Sequence, residues 1–175
     1  MKTKIILIFV LFTIIAFAKV EKIDDEFDGT YWYQTDSVLI SDYKTFQAVE
    51  YRFRTINNKN PRIIMQMYLL GGNNIMIVDQ NKDNISIKCA NGDIILLDYQ
   101  SPLSSKNNGF GYIGNNNETI LSQKVLTDSD IETLQSGIIM IRVETKKGFS
   151  NLTTKEKDAK KLIKILNEII KKVEE

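Results

Sequence analysis

The stretch Asn84-Ile85-Ser86-Ile87-Lys88-Cys89-Ala90-Asn91-Gly92-Asp93-Ile94-Ile95-Leu96-Leu97-Asp98-Tyr99 decides the fold class. Two strand-like runs flank Asn91-Gly92, the dipeptide best suited to positive φ at both central residues of a type I′ hairpin turn. Ile85, Ile87 and Cys89 alternate with polar neighbours, which places all three on one strand face. A hairpin here predicts antiparallel pairing, and the segments on either side repeat the pattern.

Upstream, Phe46 to Ile56 sets Val49, Tyr51 and Phe53 against Glu50, Arg52 and Arg54, the pattern of a half-buried strand. Arg62 to Leu70 and Ile75 to Asp79 flank Gly71-Gly72-Asn73-Asn74, which predicts a further hairpin. Downstream, Ser101 to Asn117 is rich in Ser, Asn and Gly and predicts a long loop carrying Phe110 and Tyr112. Glu118 to Leu126 resumes as a strand. Ser129 with Glu132 predicts a capping box for a short helix, near 128–136, that ends at Gly137. Ile138 to Thr145 sets Ile139, Ile141 and Val143 against Met140, Arg142 and Glu144. Thr153 with Glu156 predicts the start of a helix reaching about Val173, whose stripe is Leu162, Ile163, Leu166, Ile169, Ile170 and Val173. Its many lysines are offset by Glu156, Asp158, Glu168, Glu174 and Glu175 and read as a solvated face. The sum is a predominantly antiparallel α+β domain, a meander or sandwich-like sheet with the terminal helix across one face.

The N-terminus predicts where this domain works. Lys2 and Lys4 precede the apolar run Ile5 to Ile15, and Ala16-Phe17-Ala18 is an A-x-A site before Lys19, the three parts of a secretory signal peptide. From Ile5 to Ala18 the run would span about 21 Å as a helix, short of the roughly 30 Å hydrocarbon core, so no permanent span is expected. Residues 1–18 are thus read as a signal peptide, 19–29 as a charged linker and 30–175 as one β-rich domain, exported to the periplasm or secreted. A lone Cys89 fits export if it is buried, since an oxidising compartment favours paired thiols.

Composition narrows the chemistry. The 175-residue chain has no His and one Cys, which removes imidazole-based triads, His metal ligands and Cys pairs. A formal net charge of +1 gives no electrostatic basis for nucleic-acid binding. With 26 Ile, 19 Lys and 15 Asn, runs of these residues need no functional explanation. The sequons at Asn84, Asn117 and Asn151 are close to the number, about two, that chance supplies. What remains is carboxylate chemistry or binding. No carboxylate pair stands out, because Asp79, Asp83, Asp93 and Asp98 sit at or near turns and strand ends.

Asp24-Asp25-Glu26-Phe27-Asp28-Gly29 matches the opening of an EF-hand loop, but Thr35 stands where the closing bidentate Glu belongs. No metal and no cofactor is expected. Gly29-Thr30-Tyr31-Trp32-Tyr33, at the head of a meander that ends in a helix, resembles the first strand of lipocalin-like proteins. That resemblance implies a barrel around an apolar ligand, with the Trp one residue late. The four arginines of this Lys-rich chain include Arg52 and Arg54 on one strand face with Glu50, and Arg142 beside Glu144 on another strand. If the two strands are neighbours these groups line an anion site; otherwise they form charge ladders on solvated faces, and Trp32 is a ligand-binding candidate of the cavity reading or a core or sheet-edge aromatic. Phe110 and Tyr112 are the residues a partner-binding loop would present. The expected function is a non-catalytic binding or structural role, with a protein or glycan of the envelope as partner. An apolar-ligand barrel and a carboxylate-dependent hydrolase are the alternatives.

Overall fold

The computed structural model describes residues 19–27, 29–42, 47–56, 61–70, 85–104, 118–145 and 148–175. Within them lie β1 (Val20–Asp24), β2 (Tyr31–Thr35), β3 (Val38–Asp42), β4 (Gln47–Ile56), β5 (Arg62–Leu70), β6 (Ile85–Cys89), β7 (Ile94–Ser104), β8 (Glu118–Val125), α1 (Asp128–Gln135), β9 (Ile138–Thr145), β10 (Gly148–Thr153) and α2 (Glu156–Glu174). Every ladder is antiparallel, and the path of pairing runs β1-β2-β4-β5-β8-β7-β6-β9-β10. β5 takes one edge of β4 along nearly its whole length, so β2 and β3 share the other. The α+β, mainly antiparallel expectation holds.

β7 joins two sheets. Its first half, Ile94 to Leu97, pairs with β6, and Asp98 to Ser104 pairs with β8 across a register shift between Tyr99 and Ser101. Such an irregularity bends a strand and lets it turn from one sheet into another. The first sheet holds β1 to β5 and β8; the second holds β6, β9 and β10. β3 and β10 approach one another without a ladder, so the described strands form no closed barrel.

The two inner faces and α2 share one core. Tyr51, Phe53, Met65 and Met67 come from the first sheet, Ile85, Ile87, Leu97 and Ile141 from the second, and Leu162, Ile165, Leu166 and Ile169 from α2. Burying a side chain of this size is worth about 1.5–3 kcal/mol, so the helix stripe is a main source of stability. This arrangement corrects the lipocalin-like alternative, in which a helix packs outside a closed barrel: here the apolar stripe of α2 joins the interior.

Several local expectations change. The charged linker at 19–29 contains β1, paired with β2 from Val20↔Thr35 to Asp24↔Tyr31. The EF-hand-like opening is the turn of this hairpin: Asp25 N–H donates to Thr30 O (2.7 Å), Asp25 Oδ1 accepts from Phe27 N–H, and Gly29 has φ 70°. At Asn91-Gly92 the hairpin forms with a longer loop than a type I′ turn. Cys89 accepts from Gly92 N–H (3.0 Å) and donates to Asp93 O (2.9 Å), a three-residue loop closed by Gly92 at φ 95°. The edges of β5 pair with β4 and β8, and the expected hairpin partner at Ile75 to Asp79 lies outside the described residues. Ser101 to Ser104 belongs to β7 and not to the loop.

Both helix starts move as well. Thr127 caps α1 in a reciprocal box with Asp130, two residues before the Ser129 and Glu132 expectation. Asp serves at the third helical position because its carboxylate reaches back to Thr127 N–H at 3.0 Å. α2 begins after Lys155, which makes no side-chain cap, because Thr153 is still in β10 and paired with Met140.

β9 shows why its faces were misread. Cys89 pairs with Ile138 while Lys88 pairs with Met140, so Ile139 is the extra residue of a β-bulge. The bulge shifts the alternation by one residue. Ile138 is 1% exposed and Ile139 is 42% exposed, the reverse of the sequence expectation.

Candidate functional site

The outer face of the second sheet is built by alternation. β6 sends Ile85, Ile87 and Cys89 inward, which leaves Ser86 and Lys88 outward. β7 buries Ile95 and Leu97, so Ile94 and Leu96 emerge, 60% and 43% exposed. β9 contributes Met140 and Arg142, and β10 contributes Asn151 and Phe149, the latter 66% exposed. Register aligns these in two rows: Leu96, Ser86, Arg142 and Asn151 in one, Ile94, Lys88, Met140 and Thr153 in the other.

The rows enclose a shallow groove lined by Ser86, Lys88, Ile94, Met140 and Arg142. Arg142 is fixed at its rim. Its Nε donates to Asn151 Oδ1 at 2.9 Å, and its guanidinium carbon lies 5.2 Å from the centre of the Phe149 ring. Among the described side chains of this face the charges are Lys88 and Arg142, both positive. An apolar floor between two cations suits a partner that offers apolar side chains beside a carboxylate.

The first sheet gathers a different set. Arg54 lies over Trp32, with its guanidinium carbon 4.8 Å from the ring centre, and Arg52 lies over Tyr68 at 4.7 Å. Glu50 approaches Arg52 at 3.5 Å. Trp32 therefore meets Arg54 on the β2 side of β4, while Arg52 leans to Tyr68 on the β5 side. The structure does not bring Arg142 to them, because β5, β8, β7 and β6 separate β4 from β9 along the ladder path. Glu144 sits opposite Phe149 in the β9–β10 register, again in the second sheet. A single anion site made of all three arginines does not form. Phe110 and Tyr112 lie outside the described residues.

Cys89 is fully buried, as its strand face requires. Burial, and secondarily the charge of Asp93, pushes its thiol up from 9.0 to about 11, which keeps it protonated and unreactive near neutrality. Burial likewise raises Tyr51 well above the usual phenol range, with Cys89 adding to the effect. Among the described residues no group of three acidic or Cys side chains gathers as a metal site, and no helix is long and apolar enough to cross a membrane.

The apolar half of the second-sheet face went unread in the sequence. Its signal is Ile94-Ile95-Leu96-Leu97, an unbroken apolar run where a strand with one wet face would alternate. Compared with known protein families, curated proteins and solved structures, the chain matches none.

Proposed function

We propose that this chain is an exported, non-catalytic interaction domain of the cell envelope or extracellular space, which holds a protein partner against the outer face of its second sheet. One observation carries the reading: Ile94 and Leu96 of β7 and Phe149 of β10 are exposed on the outer face of the second sheet, with Lys88 and Arg142 on the strands between them. Isolated exposed apolar residues are ordinary, but several on one sheet face beside two described cations have the composition of a binding surface. The partner chemistry is an acidic, apolar segment. Export rests on the charged start, apolar run and Ala16-Phe17-Ala18 of the N-terminus.

The test is size-exclusion of the protein from its native source beside an Ile94→Ser, Phe149→Ser double variant. A larger species that carries the mature chain from Lys19, and that disappears in the variant at unchanged thermal midpoint, is the expected result. A larger species that survives the double substitution removes this face from the account, and a mass that still includes residues 1–18 removes cleavage after Ala18.

A further inference from the structure

The β1–β2 hairpin ends in a turn that the partner face does not use. Phe27 stands at its tip with the side chain wholly in solvent, 102% exposed, although Phe is among the residues most often buried. Three hydrogen bonds fix the turn beneath it: Asp25 N–H donates to Thr30 O at 2.7 Å, Gly29 N–H to Asp25 O at 3.0 Å, and Phe27 N–H to Asp25 Oδ1 at 2.9 Å. Behind the turn the ladder from Val20↔Thr35 to Asp24↔Tyr31 holds the hairpin. The tip is thus an aromatic on a preformed mount, which loses little backbone freedom on entering a pocket.

The tip is also acidic. Lys22 engages Asp24, but Glu26 is exposed with no ion pair among the described residues, Asp25 precedes it, and Asp28 follows in the sequence. An apolar side chain among carboxylates is the chemistry that the second-sheet groove selects. That groove offers the complement: Ile94 and Met140 lie between Lys88 and Arg142, and neither cation is in an ion pair among the described residues. Phe27 does not fill the groove of its own chain, since it is fully exposed and β4, β5, β8 and β7 stand between β2 and β6 along the ladder path.

We propose that the groove receives the β1–β2 tip of a second copy of this chain. Phe27 enters between Ile94 and Met140, and the carboxylates of Asp25 and Glu26 face Lys88 and Arg142. The proposal rests on the second-sheet face being the partner face and names what binds there. Tip and groove are different surfaces of one molecule, so the contact is heterologous: each copy offers a tip to one neighbour and a groove to another. The assembly is a closed ring, in the smallest case a reciprocal pair, or an open filament. Tips repel tips and grooves repel grooves, which leaves the tip-to-groove pairing as the favoured one.

Sedimentation equilibrium of the protein recovered from its native source should show a mass that rises with concentration and falls with added sodium chloride. Phe27→Ala removes a side chain that packs on nothing in its own chain, so it should weaken self-association about tenfold or more at an unchanged thermal midpoint. The Ile94→Ser, Phe149→Ser variant should also be monomeric. An equimolar mixture of the two, one with its tip intact and the other with its groove intact, should recover a complex of two chains at high concentration. Lys88→Glu and Glu26→Lys should each weaken association, and the two carried together in one chain should restore it. A protein that stays monomeric at every concentration, association that Phe27→Ala leaves intact, or a mixture that never pairs overturns the inference. Crosslinking from Ile94 to a different protein would then leave the partner face standing, whereas no adduct at Ile94 and Phe149 removes that reading as well.

Discussion

The guanidinium of Arg142 lies over the ring of Phe149, 5.2 Å from its centre, and so holds a largely exposed aromatic against the edge of the second sheet. An exposed cation–π contact of this kind is worth about 0.5–1 kcal/mol. Phe149→Ala should therefore cost no more than about 1 kcal/mol of stability. Its neighbour on the other face of β10, Leu152, is buried, and Leu152→Ala should cost about 2–4 kcal/mol. Urea unfolding of the two variants checks the contrast; equal losses would mean that Phe149 is a core residue and not part of a binding face.

The bulge in β9 makes a sharper demand on the register. Ile138→Ala, at a buried position opposite Cys89, should destabilise by about 2–4 kcal/mol. Ile139→Ala should change stability by about 0.5 kcal/mol or less. Simple alternation along Ile139, Ile141 and Val143 forecasts the opposite order, so unfolding midpoints of the two single variants decide between the bulged and the regular strand.

Cap placement is tested at the short helix. Thr127 Oγ1 accepts from Asp130 N–H at 3.1 Å, so Thr127→Ala should lose about 1 kcal/mol. Ser129→Ala should be nearly neutral, since Ser129 lies inside the helix and not at its cap. Gly137, at φ 102° just past the helix, should resist substitution: Gly137→Ala forces a side chain into the left-handed region at a cost of about 1 kcal/mol or more. Thermal melts that rank Ser129→Ala as the worst of the three would restore the original capping box.

Stability should fall in alkali through Cys89 and Tyr51. Both groups are neutral when protonated, and burial raises both in the folded chain, so between their ordinary and raised values the native state binds more protons than the unfolded one. Stability is then fully present below pH 9 and declines as pH rises toward 11. Tyr51 extends the decline above its ordinary 10.0. Denaturant midpoints at pH 8, 9, 10 and 11 should show this slope, and Cys89→Ala should flatten its first part. A midpoint unchanged from pH 8 to pH 11 would place the thiol in solvent.

Strong periodicity carried the sequence reading furthest. The hairpin at Asn91-Gly92, strands β4, β5, β8 and β9, and the α2 stripe were all legible, because one buried face imposes a period on each. β1 was hidden by charge: Lys19, Glu21, Lys22 and Asp24 form exposed ion pairs along an edge strand whose pairing is held by backbone and not by burial. β3 and β10 are short edge segments with little periodic signal. The bulge at Ile139 depends on pairing with β6, a long-range relation that a local pattern does not encode. For the site, strand parity placed Arg52 and Arg54 on one face with Glu50, but the contact of Trp32 with Arg54 and the separation of Arg142 follow from sheet order, which parity cannot supply. Ile165, deep in the core, was left off the helix stripe although it stands four residues before Ile169.

Site-specific photo-crosslinking in cells of the native source tests the partner face most directly, with a photoreactive residue placed in turn at Ile94, Phe149 and Lys157, the last an exposed position on α2. The account expects one protein adduct, shared by the Ile94 and Phe149 positions, absent at Lys157 and lost on Lys88→Glu. Equal labelling at all three positions, or no adduct at Ile94 and Phe149, would contradict the second-sheet face as the place where this protein meets its partner.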